Sequence, residues 1–362
     1  MVVCCGSGGV GKTTTAAAIG LAAARRGRRV VVVTIDPARR LAEALGMSER
    51  LGNDPTRLDV DVTGELWALM LDASATFDAV VAEHASDPAQ VQRILENRFY
   101  RNIADSLSGT QEYMAAEKLA SLHADDRFDL VVVDTPPTRR ALDFLEAPSK
   151  LMRFLDHRLF RLVLAPTRGG LRLLSNAARP LVRTLGTVVG MSALDDAIAF
   201  FAAFDGMERG FHDRAAGVER LLADRATAYV LVASPRADTV DEAIFFSEEL
   251  ERRHRRVAAI VVNRLHPTAG TGSYDDAEAN ARRAEERDDH ASTAIWRRLA
   301  LSRQVAASES AAIAPLLERA GTTTAVARLP LLAEDVHELD TLAAIADRLD
   351  PAPDLPAGPL DG

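Results

Sequence analysis

Cysteine is nearly absent from this 362-residue chain: Cys4 and Cys5, side by side, are its only two, so no disulfide framework is available. Neighbouring side chains on a strand face opposite ways. The pair is therefore a poor metal clasp and reads instead as two small buried residues. No apolar run approaches the roughly 18 residues of a membrane span. Positive charge is not in excess either; the net charge is -9, which argues against a general nucleic-acid binder. Lysine is scarce, for among 43 basic residues only Lys12, Lys118 and Lys150 are lysines. A composition that favours arginine has kept a compact ammonium at position 12, and the two groups are not interchangeable at a phosphate. With 48% apolar residues a large core can form and wholesale disorder is not expected. A glycine loop that begins at Gly6 leaves no room ahead of it for a signal peptide, so the expectation is a soluble, cytoplasmic protein.

What is present is a series of short, β-branched runs separated by helical stretches. Val2–Cys5, Arg29–Ile35, Asp129–Val133, Ala228–Ala233, Val257–Val262 and Thr324–Leu329 read as buried strands, with Leu66–Leu71 as a seventh at an edge. Near-continuous apolar runs, rather than strict alternation, predict parallel strands covered on both faces. The helical stretch Thr13–Arg26, closed by Gly27, completes a doubly wound α/β pattern of about seven strands. No strand run interrupts the residues from Arg140 to about Arg225, which are rich in Leu, Phe, Ala and Arg at helical spacing. They read as a helical insertion, joined by helices between about Ser74 and His123. The expected organisation is a nucleotide-binding body in two parts, 1–140 and 226–349, with the insertion at 141–225 between them. The polar stretch from His266 to about Thr293 reads as a mobile loop or an exposed helix. The final residues, 350–362, read as a disordered tail.

Gly6, Gly11, Lys12 and Thr13 fit the pattern G-x-x-x-x-G-K-[ST], after a strand and before a helix, which is the context the pattern demands. Glycines let successive backbone N–H groups converge on phosphate oxygens, and the helix start adds the positive end of its dipole. Lys12 is expected to reach the terminal phosphates and the Thr13 hydroxyl to ligate Mg²⁺. The nucleotide-holding stretch comprises Gly6, Ser7, Gly8, Gly9, Val10, Gly11, Lys12, Thr13 and Thr14. Asp36 follows the second strand and Asp134 ends the third, where ligands bind in open α/β sheets. One can belong to the magnesium shell while the other orients water. Asn263 ends the fifth strand in "VVNRLH". By resemblance to the GTPases a guanine site would carry Asn-Lys-x-Asp there; Arg264 and His266 stand in place of the lysine and the aspartate, which points to adenine.

Together these segments resemble the ArsA-type ATPases, which include the arsenite-pump ATPase and the eukaryotic factor that targets tail-anchored membrane proteins. "GSGGVGKTTTAAAIGLAAARRG" looks like that family's phosphate loop and first helix. "TIDPARRLAEALG" resembles its first switch and "VVVDTPPTRRALDFLEAP" its second. "VVNRL" and "ARLPLLAEDVHELDTL" resemble its adenine-side strand and carboxyl-terminal segment. The resemblance implies a dimeric P-loop NTPase with ATP and Mg²⁺ as cofactors. Lys12 and Thr13 would bind phosphate and magnesium, Asp36 would position the attacking water, Asp134 would belong to the magnesium network, and Asn263 would contact adenine.

Departures narrow what the resemblance carries. The family's cross-subunit lysine is replaced by Ser7, a short neutral side chain, so plain homodimeric catalysis across the interface is in doubt. Three readings stand: charge from Arg39, Arg40, Arg139 or Arg140; a lysine from a paralogous partner in a heterodimer; or a slow ATP-sensing scaffold. The several cysteines of the arsenite site and the Cys-x-x-Cys zinc clasp are both missing. In the insertion, Leu151, Phe154, Leu155, Leu159 and Leu162 lie near one helical face, with Phe200, Phe201 and Phe204 adding bulk. They would line a groove for a hydrophobic protein segment of a membrane-protein partner, or pack the insertion's own core.

Overall fold

The computed structural model describes residues 1–36, 40–47, 51–98, 100, 110–156, 207–267, 270–321, 323–332, 336 and 339–349, together with 196, 199, 200 and 203. In chain order the described elements are β1 (Val2–Cys5), α1 (Lys12–Arg25), β2 (Arg29–Thr34), α2 (Arg40–Ala44), β3 (Thr56–Arg57) and β4 (Glu65–Met70). Then come α3 (Ala73–His84), α4 (Pro88–Leu95), α5 (Thr110–His123), β5 (Leu130–Asp134), α6 (Thr138–Asp156) and α7 (Glu208–Ala223). The last are β6 (Ala228–Ala233), α8 (Ala237–Arg252), β7 (Val257–Leu265), α9 (Tyr274–Glu285), α10 (His290–Arg319), β8 (Ala325–Pro330) and α11 (Leu339–Leu349).

Eight strands form one sheet in the order β3-β4-β2-β5-β1-β6-β7-β8. All neighbours are parallel except the two-residue β3, which pairs antiparallel with β4. The sheet thus exceeds the seven expected strands by one. β4 is not an edge strand, because Thr56 and Arg57 cover it with a pairing too short and too polar to be read from pattern.

Strand valines sort by parity onto two faces. Val3, Val31, Val33, Val131 and Val133 pack with α5, α6, α7 and α8 on one side, and Val2, Val30, Val32 and Val132 pack with α1 and α11 on the other. Cys5 lies on the first face and Cys4 on the second, each buried, as adjacent strand residues must. Burial pushes both thiols up, Cys5 to about 12, so neither is a thiolate at neutral pH. Each fully buried valine is worth about 1.5–3 kcal/mol in apolar transfer.

A third apolar cluster lies among the helices. Phe77 and Val81 of α3, Ile94 of α4, Tyr113 and Met114 of α5, and Phe211 of α7 pack together with Tyr100 and Phe200. Within this layer Glu117 is buried, accepts a hydrogen bond from the Tyr113 hydroxyl at 3.0 Å and pairs with Arg214, which also reaches Glu83 at 2.7 Å. The polar stretch after His266 contains α9, whose start is fixed by a capping box between Ser273 and Asp276. The described side chains do not include Leu151, Phe154, Leu155, Leu159, Leu162, Phe201 or Phe204, so the groove expectation falls outside them. The tail at 350–362 does too.

Replacing Arg214 with Ala strands the buried Glu117 carboxylate without its cation. We expect urea unfolding to report a loss of about 3 kcal/mol. A loss below about 1 kcal/mol, the range of surface pairs, would contradict the assignment of this cluster as buried.

Candidate functional site

The site is built where β1, β2 and β5 end side by side. Register places Cys4 of β1 and Thr34 of β2 on either side of Asp134, the last residue of β5. After β1 the chain turns through Gly6, whose φ of +155° and approach to the Val232 carbonyl leave no space for a side chain: an added Cβ would lie 2.1 Å from that oxygen. Gly11 caps α1 in the left-handed region at φ +93°, and a Cβ there would lie 2.3 Å from the Asn263 amide nitrogen. No side chain caps α1, and a helix start of this kind presents its first N–H groups to an anion.

Lys12 is buried and donates from Nζ to the Ser7 carbonyl at 2.8 Å, across the loop. Burial lowers its pKa, while Asp134 and Asp36 oppose that shift. The Thr13 hydroxyl donates to Asp134 Oδ2 at 2.7 Å, and Thr34 donates to the same oxygen at 3.0 Å. Thr34 Oγ1 in turn accepts the Asp36 N–H at 3.2 Å. The other Asp134 oxygen, Oδ1, is buried with no hydrogen-bond partner, as is Ser7 Oγ. Burial raises the Asp134 carboxyl to about 6, against the pull of Thr13, Thr34 and Lys12. Exposed Arg40 stands 3.6 Å from the Asp36 carboxylate.

On the other flank Asn263 holds the loop. Its Nδ2 donates to the Val10 carbonyl at 2.9 Å and its Oδ1 accepts the Arg264 N–H at 2.9 Å. His266, three residues on, is fixed by Glu309 of α10 through its ring at 2.5 Å and its backbone N–H at 2.8 Å. Sequence reading named Lys12, Thr13, Asp36, Asp134 and Asn263, and folding brings them to one end of the sheet. It did not single out Thr34, whose hydroxyl links both aspartates; a hydroxyl residue ending a strand two places before an aspartate was the available signal. Arg39 lies outside the described residues, as do the side chains of Arg139 and Arg140.

The residues present fit a divalent cation beside phosphate. A threonine hydroxyl and an ionisable carboxylate with one unpartnered oxygen supply hard oxygen donors of the kind Mg²⁺ takes. The comparison that decides the family is the sequence profile of the anion-transporting ATPases, which matches residues 1–289. The chain belongs to that ArsA-type family. It is 33% identical over 263 residues to an uncharacterised protein of Streptomyces coelicolor, covering 72% of this chain and 61% of that one. To a protein of Aquifex aeolicus named arsenical pump-driving ATPase 1 it is 24% identical over 271 residues, 72% of this chain and 62% of the other. To the ATPase GET3 of Kluyveromyces lactis it is 32% identical over 165 residues, 42% and 46% of the two chains. The matched region thus spans less than two thirds of each of these relatives. Among the described residues no helix is long and apolar enough to cross a membrane.

The raised Asp134 pKa has a measurable consequence. Between the unfolded carboxyl's value of 3.8 and the folded value of about 6, the folded protein holds a proton that the unfolded chain has released. The stability this group contributes is therefore fully present below the unfolded value and lost as pH rises through the folded one. In Mg²⁺-free, nucleotide-free urea unfolding, wild type is expected to lose about 1 kcal/mol more than Asp134→Asn between pH 5 and pH 7. Equal pH slopes would contradict the buried, partly unpartnered carboxyl.

Proposed function

We propose that this chain is a Mg²⁺-dependent ATPase whose nucleotide state sets the shape of a dimer and its hold on a protein or membrane-associated partner. One observation carries the reading. A buried Asp134 is gripped on one oxygen by Thr13 and Thr34, with its second oxygen unpartnered, beside a phosphate loop.

In this reading the Gly6–Thr14 backbone cradles the phosphates, and Lys12 exchanges the Ser7 carbonyl for a terminal phosphate oxygen. Thr13 and Asp134 would hold Mg²⁺, which when bound would offset charge on the phosphate oxygens. Asp36, linked to Asp134 through Thr34, orients water toward the terminal phosphate and accepts its proton. Asn263 keeps the loop in its phosphate-ready shape through Val10 and presents the rest of its amide to adenine. The body comprises 1–140 and 226–349, and the 141–225 insertion receives the partner, for which a hydrophobic segment of a membrane protein is the class we favour. The two copies are this chain twice, or this chain with a paralogue, in the cytoplasm.

A second reading is favoured by Ser7: a weakly or non-hydrolysing, ATP-dependent scaffold subunit paired with a lysine-bearing paralogous ATPase. Intact Asp36 and Asp134 favour the enzyme.

Two substitutions separate binding from turnover. Lys12→Ala is expected to abolish ATP binding, measured by equilibrium dialysis. Asp36→Asn is expected to keep ATP affinity within about threefold while single-turnover hydrolysis slows about 100-fold, the size of a lost general base. Unchanged turnover in Asp36→Asn would remove that assignment. Mixing with a lysine-bearing paralogue and finding a large rise in turnover would favour the scaffold.

A further inference from the structure

The nucleotide site as folded is short of positive charge. Lys12 is the one lysine in it, and two carboxylates, Asp36 and Asp134, stand against it. At the mouth of the loop the side chain is a serine, buried and neutral, with its hydroxyl unpartnered. The neighbouring Ser7 carbonyl is the group that Lys12 now holds. When Lys12 swings to phosphate, nothing on the loop itself adds a second cation.

Across the site Arg40 opens α2, four residues after Asp36. Its guanidinium lies 3.6 Å from the Asp36 carboxylate, and its charge reaches Lys12, whose pKa it lowers. That pair is long for a charge-assisted hydrogen bond, and the Arg40 side chain is 64% exposed. Such a contact holds an arginine weakly, so the guanidinium can exchange Asp36 for a better anion at little cost. Its five donors form a planar fork suited to a phosphate's paired oxygens, which a lysine cannot match in geometry. Arg40 meets the Asp36 carboxylate, the Asp36 backbone N–H meets Thr34, and Thr34 donates to the Asp134 oxygen that Thr13 also reaches, so Arg40 stands on the Asp134 flank of the site. Asn263 occupies the opposite flank.

We infer that Arg40 is the second phosphate-binding cation of this site, supplied by the same chain and contacting the terminal phosphate of ATP in the place that Ser7 leaves neutral. This rests on the ATP-binding reading of the loop. Arg40 would then discriminate ATP from ADP, since only ATP presents the group it grips.

The test is a competition experiment in Mg²⁺ with a fluorescent ADP analogue, displaced by ADP or by a non-hydrolysable ATP analogue. Wild type is expected to prefer the ATP analogue. Arg40→Ala is expected to weaken the ATP analogue about tenfold or more, the size of a lost charged hydrogen bond, with ADP unchanged within twofold. Arg40→Lys should recover part of the preference, because it keeps the charge and loses the fork. An unchanged ratio of the two affinities in Arg40→Ala would overturn the inference, as would equal weakening of both nucleotides, which marks a structural ion pair with Asp36. A preference that appears only as protein concentration is raised would overturn the same-chain assignment. Failure of wild type to bind either nucleotide would instead sink the ATP-binding reading, and the two failures are thereby told apart.

Discussion

One buried carboxylate joins the start of α1 to β2 at the end of the sheet. Asp134 ends β5 between β1 and β2, and register alone brings Thr34 alongside it. Burial makes its charge costly, and two threonine hydroxyls offset only one of its oxygens. The folded protein keeps this arrangement although a carboxyl at about 6 is destabilised as an anion. A purely structural residue could relieve that cost with an amide or an apolar side chain. In the proposed function that carboxylate is kept because it meets a cation.

The same residue stands at the head of a mechanical connection. α6 starts at Thr138, shortly after Asp134, and runs out to the helical layer. Its Phe144 and Leu145 pack on the sheet, its Glu146 pairs with Arg253 at the end of α8, and its Ser149 donates to Glu219 of α7 at 2.7 Å. Any shift of the backbone after Asp134 is therefore borne by contacts on three other elements. On the opposite flank Asn263 ties the loop to β7, and His266 carries that tie to Glu309 in α10. The phosphate loop is fastened on both sides, and the fastenings lead to different parts of the molecule.

Much of this was legible in the sequence. The long strands announced themselves because both faces of a parallel sheet are covered, leaving near-continuous valine runs such as those of β2 and β5. The loop announced itself through glycines whose positions allow no Cβ, Gly6 and Gly11, and through a lysine retained in an arginine-rich chain. The two-residue β3 was not legible, because a pairing that short imposes no pattern. The hub role of Thr34 was only half legible: a hydroxyl ending a strand two places before an aspartate marks it, but only the register shows that it meets Asp134. α9 stood between two readings because its surface is mostly charged; its capping box, Ser273 with Asp276, was the local signal in favour of a helix. The sequence pattern sets Asn263 toward a base, and the fold adds the Val10 carbonyl as the anchor for its amide.

The central claim is that Asp134 and Thr13 are arranged for Mg²⁺ bound together with ATP. Calorimetric titration of ATP into wild-type protein, once with Mg²⁺ and once with the metal chelated, tests this most directly. The account predicts binding in both cases, strengthened by Mg²⁺ at least tenfold at pH 7.5, with that strengthening falling away as Asp134 takes up its proton toward pH 5. ATP binding of equal strength with and without the metal across that range would contradict it.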